Sequence, residues 1–424
     1  MVTIGNTTLP GVETTVESSR SVSVGLGSAG RALFVGDGDV FGGSAESNRI
    51  YEVRTPTRAR MYFGNESPLT IAVIDALREG AFPVYACATR KESIEAEDVT
   101  TETGTLAQAP LSENAADTVF TVDSSELTTI VVFGELNSDD VGAGEVHVNP
   151  VTGEYALDTA PATTGSADYY SLEYGEAFDV VVEDSAPYDF VAVLSEHEDT
   201  VVSAVDAVTE MQNNYRFGIV LAGVTPYLSD INAYSTSFDS SRLQLVYPSR
   251  NSRGDTIIGS YAGMRAAIGI SVSPIRRRLA SQNDLIVSLS TEEQEFLYSE
   301  RVNPIADEAG GSRVIEDITT VSETNENESE MRQGISRLIV DAVTDIVQSN
   351  ADNFIGELHT QAARNALQSS IKSELKDLMS LNVVIAYTVS VDKEDSMTAS
   401  VDVGVETTKP LRNIVATVTA GDVN

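Results

Sequence analysis

The apolar positions of the first ninety residues fall into two kinds of run. Residues 31–36 (RALFVG) and 83–88 (PVYACA) are short and continuous, as strands buried on both faces are. Between them Ile71, Val73, Ile74 and Leu77 recur at helical spacing in LTIAVIDALREG, and Gly80 follows as the stop. The same alternation returns later in the chain. Strands are predicted at 190–194 (FVAVL), 218–223 (GIVLAG) and 243–248 (LQLVYP). Helices are predicted over 197–213, with Val201, Val205 and Val208 on one stripe, and over 227–238. Continuous apolar strands alternating with helices predict a parallel sheet covered on both faces.

Residues 93–185 interrupt that pattern. Short alternating segments at 118–122 (TVFTV), 129–134 (TIVVFG), 145–150 (EVHVNP) and 179–184 (DVVVED) are separated by Asn, Asp, Gly and Pro clusters, which predicts an inserted all-β domain. The last third changes again. Ile335, Leu338, Ile339, Ala342 and Ile346 form one helical stripe over 331–348. Ala363, Leu367, Ile371, Leu375 and Leu378 form a second over 360–380. Strands follow at 382–391 and 398–406, the latter with Val401, Val403 and Val405 on one face. Both ends read as extended arms: the Thr- and Gly-rich start, broken at Pro10-Gly11, and the strand-like run at 412–421. The predicted fold class is thus α/β and α+β multidomain. It divides into an N-terminal arm (1–20), a discontinuous α/β domain (21–92 and 186–285), an inserted β domain (93–185), a C-terminal α+β domain (286–410) and a C-terminal arm (411–424).

Charge narrows the function. The chain of 424 residues holds 64 acidic and 27 basic side chains, a net charge of −37. That excludes nucleic-acid binding by bulk electrostatics, since a polyanion would be repelled. Between residues 92 and 215 there is no Lys or Arg and there are 27 acids, so most of the net charge lies in under a third of the chain. Only five of the bases are lysines, and Trp is absent. This composition resembles that of salt-loving archaea, whose concentrated salt screens such self-repulsion. A single cysteine, Cys87, precludes an intrachain disulfide and reads as a small hydrophobe in its strand. His147, His197 and His359 are too scattered to suggest a metal site. No apolar run reaches the ~18 residues of a membrane span. The start MVTIGNTTLPGVE has neither a basic nor an apolar signal region, so a Sec-type signal is not expected.

The chemical motifs are weak. GLGSAG at 25–30 matches a dinucleotide fingerprint literally, but a strand follows it where the mechanism needs a helix. The Arg-Gly-Asp triplet at 253–255 reads as a loop, and Asp37-Gly38-Asp39 as a turn lacking the glutamate a calcium loop needs. Asn6, Asn65 and Asn327 begin sequons, which matter only where a glycosylation system is met. Arg276-Arg277-Arg278 reads as a run pairing with a neighbouring subunit's acids. No catalytic constellation, cofactor site or metal site can be argued from these residues.

The order of elements resembles the tail sheath proteins of contractile-tailed viruses and related contractile injection systems. The resemblance rests on Leu9-Pro10-Gly11-Val12, on YFGNESPLTIAVIDALREGAFPVYACA (62–88) and on LVYPS (245–249) with the small-residue helix GSYAGMRAAIG (259–269). It is closest in LSTEEQEFLYSERVNPI (289–305), and continues in MRQGISRLIVDAVTDI with Arg337. It covers 1–92 and 186–424 and leaves 93–185 unmatched. The resemblance implies a structural subunit that polymerises helically around a tail tube and contracts to drive the tube through the target envelope, with no bond cut. Its implied partners are copies of itself, the tail tube protein, and baseplate and tail terminator proteins; its implied place is a virus tail assembled in host cytoplasm. In such proteins the terminal arms add strands to neighbouring subunits. That role would fall here to Pro10, Gly11 and Val12 at one end and Ile414, Val415, Ala416 and Val418 at the other. The helix at 360–380 carries Arg364, Lys372 and Lys376, the candidate contact with an acidic tube or neighbour, unless Glu374 and Asp377 neutralise them. A cell-encoded injection machine and, remotely, a cofactor-binding α/β enzyme are the alternative readings.

The charge distribution generates a direct expectation. Assemblies of this chain should need molar salt, where the Debye length falls to ~3 Å, and should loosen on dialysis to ~0.1 M, where it is ~10 Å. Particles counted by electron microscopy across that range check it; equal stability at both ends would remove the case for a salt-adapted chain.

Overall fold

The computed structural model describes residues 2–4, 14–16, 30–39, 41–224, 230–325 and 328–410. It opens with β1 (Val2–Ile4), β2 (Thr14–Val16), β3 (Ala32–Gly36), β4 (Ile50–Val53), α1 (Pro56–Phe63), α2 (Pro68–Glu79) and β5 (Val84–Ala88). A β-rich segment follows: β6 (Arg90–Val99), β7 (Thr103–Thr105), β8 (Thr118–Val122), β9 (Ser125–Glu126), β10 (Thr128–Val131), β11 (Glu145–Val148), β12 (Glu154–Leu157) and β13 (Gly165–Glu173). Next come α3 (Tyr174–Glu183), β14 (Phe190–Val193), α4 (Glu198–Asn213), β15 (Ile219–Gly223), α5 (Ile231–Thr236), β16 (Leu243–Tyr247), α6 (Ile258–Ile268), α7 (Thr291–Ser299), β17 (Val302–Glu308) and β18 (Gly311–Val314). The described chain closes with α8 (Gly334–Asp352), α9 (Gln361–Ser380), β19 (Val384–Lys393) and β20 (Ala399–Thr407). No described helix is long and apolar enough to cross a membrane.

The organising element is one sheet of order β18-β17-β16-β15-β14-β3-β5-β4. Its six inner strands are parallel, and β18 and β4 run antiparallel at the two edges. Strands β3, β15 and β16 are buried at every residue, as their unbroken apolar runs require. One face is covered by α1, α2 and α6 through Phe63, Val73, Tyr261 and their neighbours. The other is covered by α3, α4, α5 and α7 through Phe178, Val201, Ile231 and Leu297.

Local signals set the helix ends. In α2 the Ser67 hydroxyl accepts from the Thr70 N–H, and Pro68 occupies the first turn, where no backbone donor is needed. Gly80 ends the helix at φ 100°, and its N–H turns back to the carbonyls of Ala76 and Leu77. Helices α2 and α6 share one face of the sheet because their contact has almost no side chains. A Cβ on Gly259 would lie 2.5 Å from the Ala72 Cα, and one on Gly263 would lie 2.4 Å from the Ala76 Cα. The spacing of four places both glycines on one helix face, so the backbones meet directly.

Two expectations are corrected. Residues 179–184 are not a strand: 179–183 belong to α3, which Asp184 caps, and whose Tyr174, Ala177, Phe178 and Val181 form the buried stripe. Three consecutive valines look strand-like alone, but the i, i+3, i+4, i+7 pattern starting at Tyr174 wins because it faces the sheet. The β-rich segment therefore ends at Glu173, and α3 packs in the sheet's own core. The boundary at 285/286 also cuts through the sheet. β17 pairs in parallel with β16, Leu245 opposite Val302, and β18 follows it.

The β-rich segment forms two four-stranded sheets, β10-β11-β12-β7 and β6-β13-β8-β9. Phe120, Val146, Tyr155, Leu157 and Tyr169 fill its core. At the C-terminal end, α8 lies between two cores. Leu338 joins the sheet's cluster, while Ile335, Ile339, Val343 and Ile346 join α9 and the hairpin β19–β20. Val405 is buried there, and Val401 and Val403 are partly buried. The hairpin is two-stranded, so among the described residues each strand has one long edge without a partner strand. The edges of the large sheet are treated differently. Beside β18, the segment at 276–279 supplies backbone hydrogen bonds: Arg276 N–H to Val314, Val314 N–H to Arg277 and Leu279 N–H to Ser312. Beyond it the side chains of Arg276, Arg277 and Arg278 are exposed. At the other edge β4 is only four residues long and is flanked by the ion-paired Arg49 and Arg54.

The α2–α6 contact gives a stability test. Gly263→Ala should lower the unfolding free energy by about 1–3 kcal/mol, the usual cost of overpacking. Gly134→Ala, where nothing lies within 4 Å of the added carbon, serves as control. Denaturant unfolding measures both, and equal midpoints would show that the helices can move apart freely.

Candidate functional site

In open α/β sheets ligands bind beyond the C-terminal ends of the strands, where the strand order reverses. Here that point lies between β3 and β14, because the chain leaves β3 toward β5 on one side and returns through β14 on the other. The residues leaving these strands are Asp37 after β3 and Glu196 after β14, and Arg250 follows β16 nearby. All three side chains are buried and all three are engaged by the β-rich segment or by each other.

Two ionic triads occupy the crevice. In the first, Lys91 Nζ lies 3.0 Å from Asp37 and 2.7 Å from Asp117. It also donates to Ser112 Oγ at 2.9 Å. Asp37 further accepts from Ser112 Oγ at 2.9 Å and from the Glu113 N–H at 3.0 Å. In the second, Arg250 donates to both oxygens of Glu113, at 2.7 and 3.1 Å, and to Glu196 at 2.7 Å. The Phe133 ring centroid lies 3.5 Å from the same guanidinium. Lys91 is 4% exposed and Arg250 3%, so neither pair is screened by water. Burial pushes the Asp37 carboxyl above the usual range, partly offset by Lys91. Burial does the same to Glu113, against the pull of Arg250. Asp37 was expected in a turn and does follow β3 directly, but its role is to anchor the β-rich segment. A cleft of about 1080 Å³ remains beside the triads, with Asp39, Asn65, Phe133, Arg253 and Ile286 in its walls.

A second set of buried ion pairs holds α8 to the sheet. Arg242 Nη2 donates to Asp341 at 2.7 Å, and Arg337 reaches the same carboxylate from one turn earlier in α8. Asp317 accepts from Gln244 at 2.8 Å and from the Ile335 N–H at 3.1 Å, near the helix N-terminus where a carboxylate is favoured. Arg265 lies 3.3 Å from Asp317 and is 1% exposed.

The residues singled out from the sequence lie elsewhere. Arg364, Lys372 and Lys376, with Gln368, form an i, i+4 row along α9, outside its buried stripe of Leu367, Ile371, Leu375 and Leu378. Lys376 is exposed, and Arg364 and Lys372 are half-buried. Glu374 does not neutralise them: it accepts from Asn350 Nδ2 at 2.7 Å. Among the described residues neither Lys372 nor Lys376 has an ion-pair partner. Pro10, Gly11 and Val12, and Ile414, Val415, Ala416 and Val418, lie outside the described residues, as does most of the GLGSAG run. Arg276, expected to pair with a neighbour, pairs with Glu308 of its own chain, and Arg278 donates to Asn283 at 2.8 Å. Arg253 and Asp255 of the Arg-Gly-Asp triplet pair at 2.9 Å within a loop. Burial pushes the Cys87 thiol up to about 12, so it is a packed hydrophobe and not a nucleophile. The three histidines sit on separate elements, and no acid, His or Cys cluster suited to a metal occurs among the described residues.

Sequence reasoning missed the triads. Their partners are up to 137 residues apart, beyond any spacing rule. One signal was available: Lys91 is the only lysine before residue 372 and stands at the start of the acidic segment.

No family model and no curated protein matches the chain in sequence. Its fold does match solved structures. A chain of the anti-feeding prophage helical sheath in its contracted state superposes with a TM-score of 0.60 at 16% identity, covering 98% of this chain and 99% of that one. A chain of the six-fold symmetrised anti-feeding prophage baseplate matches equally, over 98% and 100%. The sheath tail protein of Desulfitobacterium hafniense gives 0.57 at 10% identity, over 94% and 100%. The β-rich segment, the filled crevice and the C-terminal helices thus lie on an architecture that runs the full length of known sheath chains: the fold is that of a contractile sheath protein.

Proposed function

We propose that this chain is the structural subunit of a contractile sheath. Copies polymerise as a helix around a rigid tube, and the helix drives the tube through a target envelope by passing to a second packing of the same subunits. The observation that carries this reading is the completeness of the likeness: nearly all of this chain aligns with nearly all of a chain from a contracted sheath. A shared fold gives architecture and leaves activity to be argued from the site. The site agrees. The crevice where a cofactor would lie is filled by Lys91, Arg250 and their carboxylates, which supports a structural role over an enzyme on this sheet.

In this reading the segment 90–173 is an outward appendage, its acidity suiting a solvated position. The partners are other copies, a baseplate and a tube, and the place is a virus tail or the equivalent cell-encoded machine. The row Arg364, Lys372 and Lys376 on α9 meets an acidic tube or neighbour. The arms at 1–20 and 411–424 link subunits by strand addition. This is supported by the edges of the β19–β20 hairpin, which have no partner strand among the described residues and are the natural template for an incoming strand.

Negative-stain microscopy of the purified protein tests the main reading: tubes or rings are expected, and discrete particles under all salt conditions would refute it. Removal of residues 412–424 should leave a subunit with an unchanged thermal midpoint that no longer polymerises. Normal polymers would show that the arm links nothing, and a lost midpoint would show that the segment completes its own subunit. Lys372→Glu with Lys376→Glu should likewise fold and fail to assemble on a tube; full assembly would move the contact away from α9.

A further inference from the structure

The joint between the β-rich segment and the sheet is unbalanced in charge. It buries four carboxylates, Asp37, Asp117, Glu113 and Glu196, against two bases, Lys91 and Arg250. Each base sits between two acids, so each triad carries one negative charge too many. The triads are adjacent: the Glu113 backbone N–H donates to Asp37 while the Glu113 side chain belongs to Arg250. The exposures run from 3% for Asp37 and Glu196 to 15% for Glu113, so water does little to spread the excess. Among the described residues no further Lys or Arg pairs with these groups. Tyr174 faces them from α3 with its hydroxyl given to the Leu194 carbonyl at 3.2 Å. Tyr234 faces Glu196 from α5. Across the cleft, Arg253 is held by Asp255, and Asp39 adds a further negative charge.

We propose that this joint is a proton-binding latch: it takes up protons in mild acid, and the β-rich segment is held to the sheet more firmly near pH 5 than near pH 8. A proton shared within a triad leaves one acid ionised against one base, which is neutral and costs less to bury. The direction follows from linkage. Asp37 and Glu113 have carboxyl pKa values raised by burial, so the folded chain binds their protons more tightly than the unfolded chain does. Their contribution to stability is complete below the ordinary carboxyl range and is lost as pH rises through the raised values. This is the reverse of the acid lability expected where each buried carboxylate has its own base. The partition of protons between the two acids of a triad belongs to the pair and not to either residue.

The test removes the surplus acids while keeping their shape. In the variant Asp117→Asn with Glu196→Gln each base retains one carboxylate. Calorimetry of the full-length protein between pH 8 and pH 5.5 should show the wild-type midpoint rising by about 2–4 °C more than that of the variant. Potentiometric titration over the same span should show the wild type taking up about one to two more protons per chain. Asp75, buried and pushed up to about 6, titrates in both proteins and cancels in the difference. Parallel midpoints together with equal proton uptake would overturn the proposal. Should the double variant fold poorly, Asp117→Asn and Glu196→Gln singly address one triad each. Proton counts unchanged in both would equally overturn it.

Discussion

A cation taken out of water must find carboxylates in the right place, or the chain does not fold around it. This protein depends on that constraint at each place where its parts meet. Lys91 and Arg250 hold the β-rich segment to the C-terminal edge of the parallel sheet. Arg242 holds α8 through Asp341, and Asp317, paired with Arg265, accepts from the Ile335 N–H at the start of the same helix, near the opposite ends of the strands. Apolar packing alone would let these parts slide, because it is non-directional. A guanidinium held by two oxygens sets angle as well as distance. Fixed angles at both joints keep the parts of the chain in one arrangement.

The same economy explains why so acidic a chain is not diffuse. Apolar strands assemble one sheet, small residues let α2 and α6 lie against each other, and Lys91, Arg242, Arg250 and Arg265 are placed where segments remote in sequence converge. The α9 row is a different case. Lys372 and Lys376 remain unpaired among the described residues of a chain with a net charge of −37, so an acidic partner would meet less repulsion on that flank.

What the sequence made legible was local. The buried strands at 32–36, 84–88, 219–223 and 243–247 are continuous apolar runs, and α2, α8 and α9 carry stripes that can be counted. The boundaries failed where tertiary contact decides. DVVVED looks like a strand until Tyr174 and Phe178 are added, and β17 belongs to the sheet only because Val302 lies opposite Leu245, far away in sequence. The ionic joints were illegible for the same reason. Only Arg337 and Asp341, one helical turn apart, could have been paired by spacing. The row on α9 could be read because a helix turns regularly, whereas its freedom from pairing depended on Asn350, which occupies Glu374.

The covered borders of the large sheet bear on how such a protein survives at high local concentration. Strand pairing is indiscriminate: any exposed, flat border can recruit any extended segment, including one from a half-made copy. Here the segment 276–279 and its arginines close one border, and a short, charged strand blunts the other. Among the described residues, edge strands without a second partner strand occur also in the smaller sheets, in the β19–β20 hairpin and in the β-rich segment. The sheet that holds the two largest apolar cores is thus the one whose borders are protected.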